Sequence, residues 1–184
     1  IASFSLLWLT IHRSRFGNAD TSAADCALER WRESGAREGE AARDKLADQV
    51  ERALRALGSG FLVANPEMRK QLSAGHIPLT DWFNELLRLV YRLIFLMVAE
   101  DRQLLHSKGT SPEAQELYAR GYSLARLREL SVRRAAWDRH HDRYEGVKVV
   151  FRALASGEAE IGLPALGGLF GATQLPTLED AHLT

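Results

Sequence analysis

Cysteine is almost missing from these 184 residues. Cys26 stands alone, which excludes an internal disulfide and an all-cysteine metal site and makes a reducing cytoplasm the expected setting. Long apolar runs are missing too. The longest, Leu86 to Ala99, covers 14 residues and carries Arg88 and Arg92, whereas a helix that crosses a bilayer needs about 20 largely uncharged ones. A buried helix is expected there, and no membrane partner. Lysine is scarce, with Lys45, Lys70, Lys108 and Lys148 the only four among 24 basic residues. GC-rich codon usage gives such a skew first, and arginine-based ion pairing second. Net charge is absent, since 24 acidic side chains cancel the bases, so the whole-chain balance points to neither nucleic acid nor a membrane surface. Strand-like segments are reduced to Val147–Phe151, and one strand makes no sheet. An initial methionine is lacking as well. The chain opens at Ile1 inside an apolar-periodic run, with neither the basic lead-in nor the cleavage site of a signal peptide, and reads as a piece of a longer protein.

What is present is ordinary for a globular chain: 46% hydrophobic and 26% charged residues, enough length for one domain with a sizeable core. The periodicity is helical. Phe4, Leu7, Trp8 and Ile11 share one helix face, and Leu46, Val50, Ala53, Leu54 and Leu57 share another that is expected to stop at Gly58 and Gly60. Between them, 23–40 reads as a surface helix anchored by Trp31 and fraying at Gly35 and Gly39. Thr80 is placed to cap a long helix running to about Leu105, with Asp81, Glu85, Arg88 and Arg92 on one charged stripe and leucines elsewhere. Pro112 suits the first turn of a further helix, and Val147–Ala155 forms another that ends near Gly157. Residues 157–184 hold five of the 14 glycines and two of the five prolines. They read as a linker loop with at most a short helix from Pro164 to Phe170, whose Leu163, Leu166, Leu169 and Phe170 pack onto something. The expected fold is all-α, an irregular helical bundle around one long central helix (about 80–105) with a loop-rich C-terminal tail, divided into a helical domain at 1–156 and a linker at 157–184.

Three patterns bear on chemistry. Gly58-Ser59-Gly60 echoes the glycine turn that lets a backbone approach a nucleotide or S-adenosylmethionine, but the residues before it are helix-periodic and Asn65-Pro66 follows. It is expected to end a helix. Asp138, His140, His141, Asp142 and Glu145 cluster potential metal ligands, with His141 and Glu145 one helical turn apart, yet Arg134, Arg139 and Arg143 lie among them and oppose a cation. A solvated helix face or loop is expected, and no metal. The third pattern is local charge: from Arg120 to Arg152 nine bases meet four acids, the preceding residues carry a net minus one, and the following ones minus four. With Trp137 and Tyr144 interleaved, this stretch suits either a phosphate backbone or intramolecular ion pairing with the acidic parts of the same protein. Arg126, Arg128, Arg133, Arg134, Arg139 and Arg143 are its candidate contacts.

The runs Phe4–Phe16, Glu85–Arg102, Tyr122–Leu124 and Leu163–Phe170, in that order, resemble the helical region of large restriction-modification type adenine methylases. These include the single-chain (type IIG) methylase-endonucleases and the methylases of the DISARM and BREX phage-defence systems. Leu86-Leu87-Arg88-Leu89-Val90-Tyr91-Arg92-Leu93-Ile94-Phe95-Leu96 is the most specific part. The resemblance implies a helical connector that precedes a methyltransferase domain, with DNA and the other domains of the same polypeptide as partners and S-adenosylmethionine as the parent's cofactor. The family's Asn-Pro-Pro-Tyr and Asp-Pro-Ala-x-Gly-Ser-Gly motifs do not occur here, nor does a Pro-Asp…Glu-x-Lys nuclease site, so no catalytic, cofactor or metal residue is carried over. The alternative is a protein-interaction module without DNA contact, docking by Leu169 and Phe170.

Overall fold

The computed structural model describes residues 2–16, 22, 25–133, 140–171 and 174–183. Among them the fold is all-α, with an isolated bridge between Glu158 and Leu163 in place of any strand. The helices are α1 (Ala2–Ile11), α2 (Ala27–Ala64), α3 (Pro66–Ser73), α4 (Leu79–Asp101), α5 (Pro112–Gly121), α6 (Leu124–Ser131), α7 (Asp142–Ser156) and α8 (Pro176–Glu179). No helix among the described residues is long and apolar enough to cross a membrane. The chain forms two compact units, Ile1–Glu51 and Arg52–Thr184, a division far from the expected one at 156/157.

In the first unit, α1 presents Phe4, Leu7, Trp8 and Ile11 to solvent. The Arg15 guanidinium lies 5.4 Å from the centre of the Trp31 ring, and its Nε donates to the Leu9 carbonyl at 3.2 Å. The start of α2 does not fray at Gly35 and Gly39. Ala, Arg and Glu are strong helix formers, and the one-turn pairs Glu29–Arg32 and Glu33–Arg37 bridge successive turns.

Helix α2 also runs straight through Gly58 and Gly60, so the expected stop there is wrong. Glycine weakens a helix without ending it unless the backbone turns left-handed, and neither residue does so. The helix ends instead at Ala64, because Pro66 disfavours helical geometry at Asn65. The Asn65 side chain then donates to the Phe61 carbonyl at 2.8 Å. Both glycines serve close approach: a Cβ on Gly58 would lie 3.2 Å from Leu86 Cδ1, and one on Gly60 would lie 2.9 Å from Leu183 Cδ1.

Helix α4 is the centre of the second unit, as expected, but its ends differ. Pro78 and not Thr80 occupies the N-cap, its carbonyl accepting from Asp81 and Trp82. The helix stops at Asp101, four residues early, because Gln103 turns left-handed (φ 54°). The Gln103 amide donates to Glu100 and the Leu104 amide to Ala99 at 2.8 Å, the paired closure that satisfies final carbonyls. Trp82, Leu86, Leu89 and Leu96 of α4 pack with Phe61 of α2, Tyr118 of α5, Leu124 of α6 and Val150, Phe151 and Leu154 of α7.

The C-terminal residues belong to this core. Ile161, Leu163, Phe170, Leu175, Leu178 and Ala181 are all buried in it, which a linker's side chains would not be. The short helix expected at Pro164–Phe170 is only a 3-10 turn, Gly168–Phe170, since Gly167 and Gly168 both adopt positive φ.

Candidate functional site

The basic stretch begins on a corner whose geometry is set by capping. Ser111 Oγ accepts the Ala114 amide at the start of α5, and Ser123 Oγ accepts the Arg126 amide at the start of α6, both satisfying donors that a first turn leaves open. Glu100 of α4 completes the corner. Its Oε1 accepts the Leu124 amide at 2.8 Å and the Tyr118 hydroxyl at 2.5 Å, while Oε2 accepts the Ala125 amide at 2.9 Å. A carboxylate at the amino end of α6 also complements the helix dipole. Burial first, and the adjoining Glu100 carboxylate second, hold the Tyr118 phenol well above its ordinary pKa.

Arg126 is exposed at this corner, and Arg128 and Arg133 are exposed at the other end of α6. Arg126 Nη1 donates to the Arg120 carbonyl, and Arg128 lies 3.6 Å from Asp101. Across a cleft of about 290 Å³, half-buried Arg143 stands in the first turn of α7, with Ser123, Arg126, Leu130, Asp142 and Gly146 among the lining residues. Arg134 and Arg139, and Trp137 with them, lie outside the described residues. The structure therefore brings Arg126 and Arg143 to one cleft and places Arg128 and Arg133 on the same exposed helix end.

Other bases of the stretch face different tasks. Arg120 pairs with Glu116 at 3.3 Å and Arg152 with Glu179 at 3.1 Å. Lys148 is buried; its Nζ lies 2.7 Å from Glu145 and donates to the Glu179 and Ala181 carbonyls. Tyr144 is no stacking platform. It is buried, its hydroxyl donates to the Leu178 carbonyl at 3.0 Å, and burial pushes its pKa up. The local charge surplus is thus smaller at the surface than along the chain, because a folded chain pairs much of it internally.

The histidine cluster has a comparable outcome. His141 packs against His182 with ring centres 5.0 Å apart, and His182 Nδ1 lies 3.6 Å from Glu145. The hydrogen bond from Lys148, more than anything else, holds the Glu145 carboxyl below its usual range. Among the described residues no three His, Cys, Asp or Glu side chains are grouped to hold a metal ion. Nor does Gly58–Gly60 fit a nucleotide: its amides lie inside α2, and Leu86 and Leu183 fill the space beside it.

Sequence reasoning missed the groups that hold the C-terminal segment. Glu85 and Arg92, which the spacing puts on one charged stripe, are both buried. Glu85 Oε2 accepts the Thr177 and Leu178 amides. Arg92 Nε and Nη2 donate to the Leu169 and Gly171 carbonyls, with the guanidinium 5.0 Å from Phe151 and 5.7 Å from Phe170. Desolvation pulls the Arg92 pKa down. A signal was available: two opposite charges a helix-turn multiple apart inside an otherwise apolar helix, beside a glycine-rich segment whose backbone needs partners. Arg88, the third member of the stripe, is exposed and reaches the Gln174 carbonyl at 3.4 Å.

No protein-family model, curated protein or solved structure matches the chain.

Proposed function

We propose that the chain is a non-catalytic helical connector of a multidomain, S-adenosylmethionine-dependent adenine DNA methylase. The parent would belong to a cytoplasmic restriction-modification or phage-defence system, and the arginines of α6 and of the first turn of α7 would contact the DNA backbone. The motif resemblance supports the parent family. The observation that carries the DNA contact is the placement of Arg126, Arg128 and Arg133 at solvent along and just past α6, whose amino end is held by Ser123 and Glu100, with Arg143 across the cleft from Arg126. Phosphate contacts fix a protein's register on a duplex through surface cations held in place, and they read no sequence. Extrusion of the adenine and methyl transfer then fall to the parent's other domains.

Fluorescence anisotropy with a labelled duplex across a salt series tests the reading. Weak binding should fall linearly on a log–log plot, and Arg126→Glu with Arg133→Glu should lower the slope by about 0.9 for each phosphate lost. Absence of binding at low salt refutes the DNA contact. Methyl transfer or S-adenosylmethionine binding by the chain alone refutes the connector reading.

A second reading, a protein-docking module, is favoured by the exposed Phe83, Tyr91, Phe95 and Val98 on α4 together with Leu166 and Leu169. Phe170 does not belong to such a surface, being buried against Phe95 and Phe151. Salt-insensitive self-association that Leu169→Asp abolishes, without DNA binding, would select this reading.

A further inference from the structure

The first unit, Ile1–Glu51, has no interior of its own: among its described residues none is buried. Yet it contains a helix without a single charged side chain, α1. Phe4, Leu6, Leu7, Trp8, Leu9 and Ile11 are each 49–69% exposed, and they go all round that helix. Phe4, Leu7, Trp8 and Ile11 form one stripe at i, i+3, i+4 and i+7, while Leu6 and Leu9 lie on the opposite side. The Thr10 hydroxyl donates to the Leu7 carbonyl at 2.7 Å, so that polar group is already served inside the helix. A helix that is apolar on every side belongs in an interior, and the single chain gives α1 none.

Its chemistry narrows what covers it. The 10 residues of α1 rise only about 15 Å, half of the roughly 30 Å of a bilayer's hydrocarbon core. A helix that lies on a membrane needs a charged or polar face opposite its apolar one, and α1 has Leu6 and Leu9 there. Nucleic acid is held through cations, and α1 has none. A charged protein surface would lose its hydration against α1 and gain no partner. What fits is another uncharged apolar surface of similar extent. The same helix of a second copy is such a surface: it meets itself without like-charge repulsion, and two-fold pairing puts one patch on both sides of the contact. The extent agrees as well. The six side chains expose roughly 750 Å² per copy, against about 800 Å² from each partner of a standard-size interface.

We infer that α1 is a self-association helix: two copies of the chain pair through it, and its apolar side chains become the core that neither first unit has alone. The DNA contact proposed for Arg126 and Arg143 lies in the other unit and is carried by charge, whereas this contact contains none. Salt therefore separates the two, and either can fail without the other.

Sedimentation velocity of the whole chain over a dilution series, at low and at high salt, tests the pairing. A species of twice the 20.6 kDa chain mass is expected, with a dissociation constant that salt leaves unchanged. Leu7→Asp and Trp8→Asp should each raise that constant at least about thirtyfold, the effect of losing a side chain central to an interface. Both residues are exposed in the single chain, so far-ultraviolet circular dichroism should show the helices retained. Leu169→Asp should leave the pair intact, which distinguishes α1 from the exposed face of α4. Where an aspartate variant fails to fold, hydrogen exchange of the wild-type chain gives the same answer: α1 amides should exchange more slowly at high than at low protein concentration. A single-chain mass throughout the dilution series overturns the inference. So does a pair that both α1 variants leave intact, or α1 exchange that concentration does not change.

Discussion

Glu100 joins three helices through one carboxylate, and removing it should open the corner that carries the candidate DNA contacts. In Glu100→Ala, the Tyr118 hydroxyl and the Leu124 amide lose their acceptor in a buried setting, while the Ala125 amide can turn to water. An unsatisfied buried polar group costs about 1–3 kcal/mol, so the two orphans together should cost about 2–6 kcal/mol. Glu100→Gln keeps an acceptor oxygen but loses the charge at the amino end of α6, a loss of about 1–2 kcal/mol. Tyr118→Phe removes a donor and leaves the carboxylate bound to both amides, costing about 1 kcal/mol. Because Tyr118 and Glu100 share one bond, the double variant should be less damaged than the two single losses added, by about 1 kcal/mol. Urea denaturation followed by far-ultraviolet circular dichroism reads each value, with an unchanged slope as the check that only stability moved. A loss below about 1 kcal/mol for Glu100→Ala, or strict additivity in the cycle, would refute this account of the corner.

Glycines within α2 separate by surroundings. Gly35→Ala and Gly39→Ala meet nothing within 4 Å and should each stabilise the helix by up to about 1 kcal/mol, whereas Gly58→Ala presses on buried Leu86 and should lower the melting temperature. At the end of α4, Gln103→Gly removes a left-handed cost of about 1–2 kcal/mol against an unfolded-state entropy of about 0.5–1 kcal/mol. A small rise in urea midpoint is expected, and a fall would count against the Gln103 geometry. Alkaline pH should weaken the fold. Tyr118 and Tyr144 have phenol pKa values raised above the ordinary 10 by burial. The stability they contribute is therefore complete below pH 10 and is lost as pH rises towards their folded values. Urea midpoints measured between pH 9 and 11.5 should fall, and should fall less in Tyr118→Phe.

Helix existence was legible from residue spacing because an apolar face repeats with a period that only a helix satisfies. The 3.6-residue pattern at 82–99, the break at Asn65-Pro66 and Pro112 in a first helical turn each map onto a feature of the fold. Boundaries were less legible. Gly58 and Gly60 look like stops in a list of residues, yet their role is to let Leu86 and Leu183 approach α2, and that is decided by partners far along the chain. Charge was the least legible property. A run of arginines announces a basic stretch, but pairing with Glu116, Asp101 and Glu179 and the burial of Lys148 reduce what the surface presents.

By itself, then, the sequence determined that the chain is helical, that α4 carries its longest apolar run, and that Arg126, Arg128, Arg133 and Arg143 lie in its basic stretch. Those follow from local periodicity and composition, which neighbouring residues carry between them. Only the tertiary structure decided that Ile161, Leu163, Phe170, Leu175, Leu178 and Ala181 enter the core, and that Glu85, Arg92 and Lys148 turn inward to hold the segment that carries them. The physical reason is distance along the chain. A buried charge is tolerable only where a partner meets it, and here the partners are main-chain atoms more than thirty to ninety residues away, which no local pattern records.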